Sequence, residues 1–171
     1  PAILAPSIVA DTGWPLPWVI GGLSGGLLVA GLVSPWVGRQ IGRHGGRPVL
    51  AVSALMLASG QVTLGLAPSL PIFLAGWVLL GAGMGAGLYD AAFATLGTLY
   101  GENARPAITH LTLWGGFAST VCWPLSAWLA AHVGWRGTCL VYAGIQVAVA
   151  VLALVAATAV ALLRTVDAQG V

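Results

Sequence analysis

Five apolar stretches, each long enough to cross a lipid bilayer, follow one another along this 171-residue chain. An α-helix needs about 20 predominantly apolar residues to cross a bilayer. Charged residues make up only 6% of the chain and hydrophobic residues 58%, whereas a soluble domain carries about 25% charged residues. A chain so poor in charge cannot cover a water-facing surface, so we predict that it folds in lipid.

The spanning segments are predicted to be helices. Hydrocarbon offers the backbone no hydrogen-bond partners, so only α-helices and closed barrels cross it, and the alternating pattern of a membrane barrel is absent. The predicted fold class is therefore all-α, a polytopic membrane helical bundle that forms one transmembrane domain over residues 1–171. The first apolar run is too short to span and is interpreted as the end of a helix whose beginning is missing. The predicted spans are 1–10 (partial), 16–37, 48–66, 70–99, 107–131 and 138–163.

Arginines predict the orientation of the bundle. If the loops alternate between the two sides, one side receives five arginines and the other receives only Arg136. Loops rich in lysine and arginine stay in the cytoplasm, so the loops carrying Arg43, Arg47 and Arg105 are predicted to be cytoplasmic in a cell (inner) membrane. The arginines do not form one patch, and binding to nucleic acid is not expected.

Glycine is the second compositional signal, with 25 residues. Glycines four residues apart lie on one face of a helix and let neighbouring helix backbones approach closely. Such a pattern has two interpretations. It can reflect tight packing alone, or it can belong to a bundle whose helices slide against each other. The pairs are Gly21 and Gly25, Gly22 and Gly26, Gly81 and Gly85, and Gly83 and Gly87.

The short basic segment 38–47 contains the most specific pattern, with Gly38, Arg43, Gly45 and Arg47 in order. Glycines suit a tight turn, and arginines here can bind phosphates, helix C-terminal carbonyls or a carboxylate on a neighbouring helix. The segment resembles the signature that major facilitator transporters carry between their second and third helices. Gly42 stands where that signature has an acidic residue.

Three further segments resemble the same superfamily. A run of alternating glycines begins at Gly81 in what would be the fourth helix, and Trp77 stands where many members have an arginine. Gly134-Trp135-Arg136 is similar to the turn between the fifth and sixth helices, and Pro124 weakly resembles an antiporter signature. The resemblance implies twelve helices in two six-helix halves, with a substrate site between them. This chain would supply the N-terminal half, truncated within its first helix, and the C-terminal half would be a partner absent from this chain.

Asp90 is a charged residue predicted to lie inside a span, near its cytoplasmic end. Such residues are rare in membranes and usually functional. We predict that Asp90 forms an ion pair with Arg43 or Arg47 and gates the cytoplasmic side, together with Gly38 and Gly45. Proton coupling at Asp90 and simple snorkelling to the membrane surface remain the alternatives.

A second group of candidates consists of polar and aromatic residues predicted to lie at depth in the spans. Each could line a substrate cavity, although packing or contact with lipid is the simpler interpretation. The candidate cavity residues are Gln61, Trp77, Tyr89, Trp114 and Trp123. Four other tryptophans lie near span ends and are predicted to form an aromatic belt at the membrane interface. These are Trp14, Trp18, Trp36 and Trp135.

The predicted function is secondary active transport of a small organic solute by alternating access, with proton coupling left open. The alternative is a truncated, non-transporting membrane protein or a scaffold or interaction module. An enzyme is not expected, because the sequence lacks a metal-ligand cluster, a Ser-His-Asp set and paired carboxylates. A phosphate-binding loop is also absent, so ATP-driven transport by this chain is not expected. No cofactor or metal is therefore predicted, and Cys122 and Cys139 are interpreted as buried thiols in apolar surroundings.

Overall fold

A computed structural model describes residues 3–44, 46–87, 93, 96–97, 100–101 and 104–168, without the side chains of residues 44, 47, 153, 154 and 156–168. This part of the chain contains helices and no strand, as the sequence predicts. The helices are α1 (Ala5–Thr12), α2 (Leu16–His44), α3 (Gly46–Leu66), α4 (Leu70–Gly87) and α5 (Ala104–Ala168).

Helix α5 is two helices joined at Gly134. The backbone of Gly134 has φ 71° and ψ 176°, outside the helical region, and glycine is the residue that adopts this conformation without strain. The hydroxyls of Ser126 and Tyr142 lie 2.6 Å apart, although 16 residues of straight helix would separate them by about 24 Å. The chain therefore turns back on itself, and residues 104–133 and 135–168 form a helical hairpin.

Four of the described helices could cross a membrane, judged by length and composition. Helices α2, α3, α4 and α5 are long and apolar enough to span a bilayer, and the hairpin gives α5 two crossings. The predicted loop over 38–47 is wrong, because α2 continues without a break through Arg43 to His44 and α3 begins at Gly46. Helix continues there because a helix satisfies its own backbone as it leaves the membrane, and Val37 and Ile41 pack against Ala86 of α4.

Helix α4 lies between α2 and α3 and contacts both through glycine. Toward α2, a methyl group added at Gly81 would lie 2.8 Å from the Cα of Gly26. Toward α3, one added at Gly83 would lie 3.0 Å from the backbone nitrogen of Leu57, and the Ser53 hydroxyl donates to the Gly83 carbonyl at 2.8 Å. The predicted close approach of backbones is therefore found on two faces of α4.

The other glycine pairs of the sequence behave differently. Gly22 and Gly26 of α2 face the ring and backbone of Trp77, whereas Gly21 and Gly25 have open space beside them. The α2 helix thus presents one glycine face to α4 and leaves the other unpacked within the described chain.

Candidate functional site

The basic end of the bundle is built on the last turns of α2. Arg39 and Arg43 are both exposed, and open space surrounds Gly38 and Gly42. The glycines therefore neither make a turn nor accommodate a close neighbour in the described structure. Because glycine has no side chain, the surface of α2 at Gly38 and Gly42 carries only backbone atoms close to Arg39 and Arg43.

The predicted ion pair at this end involves residues that the structure does not describe. Asp90, Gly45 and the side chain of Arg47 lie outside the described residues, as does Tyr89. Arg43 forms no ion pair with the residues that are described. The pairing of Asp90 with Arg43 or Arg47 therefore stays a prediction.

A cavity of about 240 Å³ lies between the described helices, and it brings together two of the predicted site residues, Gln61 of α3 and Trp77 of α4. Helices α1, α2 and both arms of α5 complete the wall. Its lining residues are Leu4, Ala5, Ile8, Val19, Ile20, Gln61, Leu64, Phe73, Trp77, Leu80, Ser126, Cys139 and Tyr142. The lining is mostly apolar, and none of the described residues in it is charged.

The polar groups of the cavity differ in how well they are paired. Ser126 donates to the Cys122 carbonyl at 2.6 Å and also bonds the Tyr142 hydroxyl, so both hydroxyls are engaged. By contrast, the amide of Gln61 makes no hydrogen bond with any described residue. The indole nitrogen of Trp77 is buried and equally without a partner in the described chain.

The two deeper tryptophans of α5 do not join this cavity. Trp114 is 74% exposed and Trp123 is 67% exposed on the outer surface of the described helices. The sequence analysis grouped Trp114 and Trp123 with Gln61 and Trp77, but in the folded chain only Gln61 and Trp77 line this cavity. Cys122, which was predicted to be buried, is exposed on the same helix, whereas Cys139 is buried against the cavity.

A second cluster lies at the opposite end of the bundle from Arg39 and Arg43. We call Asp11, Trp135, Arg136 and the carbonyls of Gly65 and Ala67 the Arg136 cluster. The Arg136 Nε lies 3.6 Å from the Asp11 carboxylate, and the Trp135 indole donates to the same carboxylate at 3.0 Å. Arg136 also donates to the Ala67 carbonyl at 2.9 Å and to the Gly65 carbonyl at 3.2 Å.

The Arg136 cluster ties three separate parts of the chain together. Asp11 lies in the last turn of α1, and Arg136 follows the Gly134 break in α5. The two carbonyls belong to the last turn of α3 and to the residue just after that helix. A guanidinium suits this position because the last carbonyls of a helix lack partners and carry partial negative charge. The cluster therefore adds hydrogen bonds to the apolar packing that closes this end of the bundle.

Aromatic rings connect the Arg136 cluster to the cavity. The Arg136 guanidinium lies 4.4 Å from the Trp135 ring centroid, and Trp135 meets Phe73 edge-on at 6.4 Å. Phe73 in turn contacts Trp77, also edge-on at 6.4 Å, and Trp14 at 5.3 Å. Trp135 was predicted to lie in an interfacial belt, but it is only 4% exposed, so that prediction is wrong.

Sequence reasoning missed the Arg136 cluster, although a signal was present. Asp11 and Arg136 both fall in loops predicted to lie on the same side of the membrane, where other charges are scarce. Opposite charges on the same sparse surface tend to pair. The missing information was that α1 and the α5 hairpin are neighbours in space.

Together, the helices, their glycine contacts and the lack of charge define a multi-pass helical membrane protein. The family model of the Major Facilitator Superfamily matches residues 1–168. The chain therefore belongs to the Major Facilitator Superfamily, whose members are transporters and not enzymes. Searches of the curated proteins and of the solved structures give no significant match.

Proposed function

We propose that this chain is one six-helix half of a secondary active transporter that moves a small organic solute across the cell (inner) membrane by alternating access. Family membership over residues 1–168 is the observation that carries the proposal. The packing of α4 supports it as well. Glycines on two faces of α4 let its backbone pack closely against α2 and α3. Contacts between small residues suit helices that shift against each other.

Gating is proposed at the basic end of the bundle. In this scheme Asp90 pairs with Arg47 or Arg43 when the cytoplasmic side is closed, and the pair breaks when it opens. An unpaired aspartate in hydrocarbon costs about 2.5–3.5 kcal/mol at the helix centre and less toward the end, which favours pairing. Proton coupling at Asp90 is the competing proposal for the same residue.

Solute counterflow tests the transport function against a passive scaffold. Proteoliposomes are loaded with an unlabelled solute, and uptake of the labelled solute is followed for a panel of small organic molecules. A carrier that alternates between two faces gives uptake stimulated by solute on the far side, whereas a scaffold does not. We expect stimulated uptake when this chain is reconstituted with a C-terminal six-helix half of the superfamily.

The same assay tests whether the second half is needed. The chain alone, as a monomer, is expected to give no stimulated uptake, because the proposed pathway runs between two halves. Stimulated uptake by the monomer would contradict the need for a partner half. A lack of uptake by the paired halves across the whole panel would favour the scaffold.

The orientation of the bundle gives a separate prediction. Ser69 precedes α4 at the end that contains the Arg136 cluster, and Glu102 follows α4 in the sequence. In a variant without native cysteines, Ser69→Cys is expected to react with a membrane-impermeant maleimide in intact cells. Glu102→Cys is expected to react only after the cells are permeabilised. Labelling of Glu102→Cys in intact cells would contradict the proposed orientation, because it would place this loop outside the cell.

A further inference from the structure

We propose that the cavity lined by α1, α2, α3, α4 and α5 binds a small, uncharged, largely apolar solute that carries a carboxamide or similar carbonyl group. The described residues that line it come from all five helices of this chain. The assignment of this solute as the transported substrate rests on the transport function proposed above. Binding itself does not depend on transport.

The size of the cavity limits the ligand to a small molecule. Its volume is about 240 Å³, and an apolar cavity of about 150 Å³ is enough to hold benzene. Pockets for drug-sized ligands begin at about 300 Å³. A single ring with one short polar substituent therefore matches the available space.

The lining excludes charged ligands. The described residues that line the cavity include no lysine, arginine, aspartate or glutamate, and Arg136 is engaged by Asp11 and by the Ala67 carbonyl. Transfer of an unpaired charge from water into such surroundings is costly, because nothing replaces its hydration. Anions and cations should therefore be rejected, even when their shape is correct.

One unpaired polar group of the lining points to a ligand with hydrogen-bonding capacity. Gln61 supplies an amide with donors and an acceptor, and it has no partner in the described chain. A primary carboxamide complements that amide, since each group can donate to the carbonyl of the other. The hydroxyls of Ser126 and Tyr142 are already paired with each other, so Gln61 is the group left to select the ligand.

Trp77 forms the aromatic wall next to Gln61. Its indole N–H is buried without an acceptor among the described residues, and a buried, unpaired donor is destabilising. This N–H lies against Gly22 of α2 and does not face the cavity, so Trp77 contributes an apolar ring surface to the lining. The space left by Gly22, whose added methyl group would lie 2.6 Å from the indole nitrogen, holds the ring in its present position.

Four probes of similar shape test the proposal on the whole chain in lipid nanodiscs. Benzamide is neutral with a carboxamide, benzoate is an anion, benzylammonium is a cation, and ethylbenzene lacks polar groups. Binding is measured by ligand-observed NMR titration, with empty nanodiscs subtracted. We expect benzamide to bind roughly tenfold more tightly than ethylbenzene, and both ions to bind at least roughly 100-fold more weakly than benzamide.

A pair of matched variants identifies the group responsible. Gln61→Leu should weaken benzamide binding about tenfold and leave ethylbenzene binding unchanged. Gln146→Leu is the control, because Gln146 is a partly buried glutamine of α5 that does not line the cavity. It should change neither affinity, and thermal unfolding of both variants checks that they are folded.

Three results would overturn the proposal. Equal binding of benzoate or benzylammonium would remove the requirement for a neutral ligand. Equal loss of benzamide binding in both glutamine variants would remove the role of Gln61. Ethylbenzene binding as tightly as benzamide would mean that the cavity holds only apolar matter such as a lipid chain. Each of these results leaves the counterflow experiment unaffected, so failure of this site and failure of transport are distinguishable.

Discussion

Gly81→Ala is expected to lower the thermal stability of the bundle, although alanine is the better helix former. The added methyl group would lie 2.8 Å from the Cα and carbonyl carbon of Gly26, and backbone atoms of a packed helix cannot move aside cheaply. Overpacking of this kind costs about 1–3 kcal/mol. For a chain of this size such a loss corresponds to a fall in Tm of about 5 °C, which thermal unfolding in detergent measures.

Gly25→Ala is the matched control for this prediction. Gly25 also lies within a helix, but nothing lies within 4 Å of a methyl group placed there. Replacement of a helical glycine by alanine stabilises a helix by about 0.5–1 kcal/mol when there is room. The two substitutions should therefore shift Tm in opposite directions. An unchanged or raised Tm for Gly81→Ala would mean that α2 and α4 are not in close contact.

Arg136→Ala is expected to cause the second large loss of stability, because this one side chain contacts both α1 and the C-terminal end of α3 from α5. The substitution removes the bonds to Gly65 and Ala67 and the ion pair with Asp11. The Arg136 side chain is 41% exposed, and solvent weakens such interactions. We therefore expect a loss of about 1–2 kcal/mol, again measured by thermal unfolding in detergent.

Two further substitutions separate the parts of this effect. Asp11→Asn retains an oxygen acceptor for Trp135 and removes only the charge, so it should cost less than about 1 kcal/mol. Arg39→Ala is the control, because Arg39 is an exposed arginine that makes no ion pair with any described residue. If Arg136→Ala were as mild as Arg39→Ala, the Arg136 cluster would not hold this end of the bundle.

The class of protein could be predicted from the sequence because it depends on properties summed over long segments. Segments such as 48–66 contain no internal charge and are too long to be soluble strands, so helices in lipid are the physical solution. Local signals were less reliable at the segment ends. Gly38 and Gly42 indicated a loop, yet α2 continues through them, because contacts with α4 outweigh the weak helix preference of glycine.

The candidate site could be predicted only in fragments. Gln61 and Trp77 do line one cavity, whereas Trp114 and Trp123 lie on the outer surface. Hydropathy gives the depth of a residue in the membrane but not the direction in which its side chain points. In lipid both faces of a helix can be apolar, so the periodicity that marks the core face of a soluble helix is weak.

The sequence by itself determined that this chain forms membrane-spanning helices, and it located the glycine pairs that allow them to approach. Only the tertiary structure decided that Gly22 and Gly26 pack while Gly21 and Gly25 do not. It also decided that Asp11 meets Arg136 across 125 residues of chain. The physical reason is that transfer into lipid depends on each segment alone, whereas packing depends on which helices become neighbours.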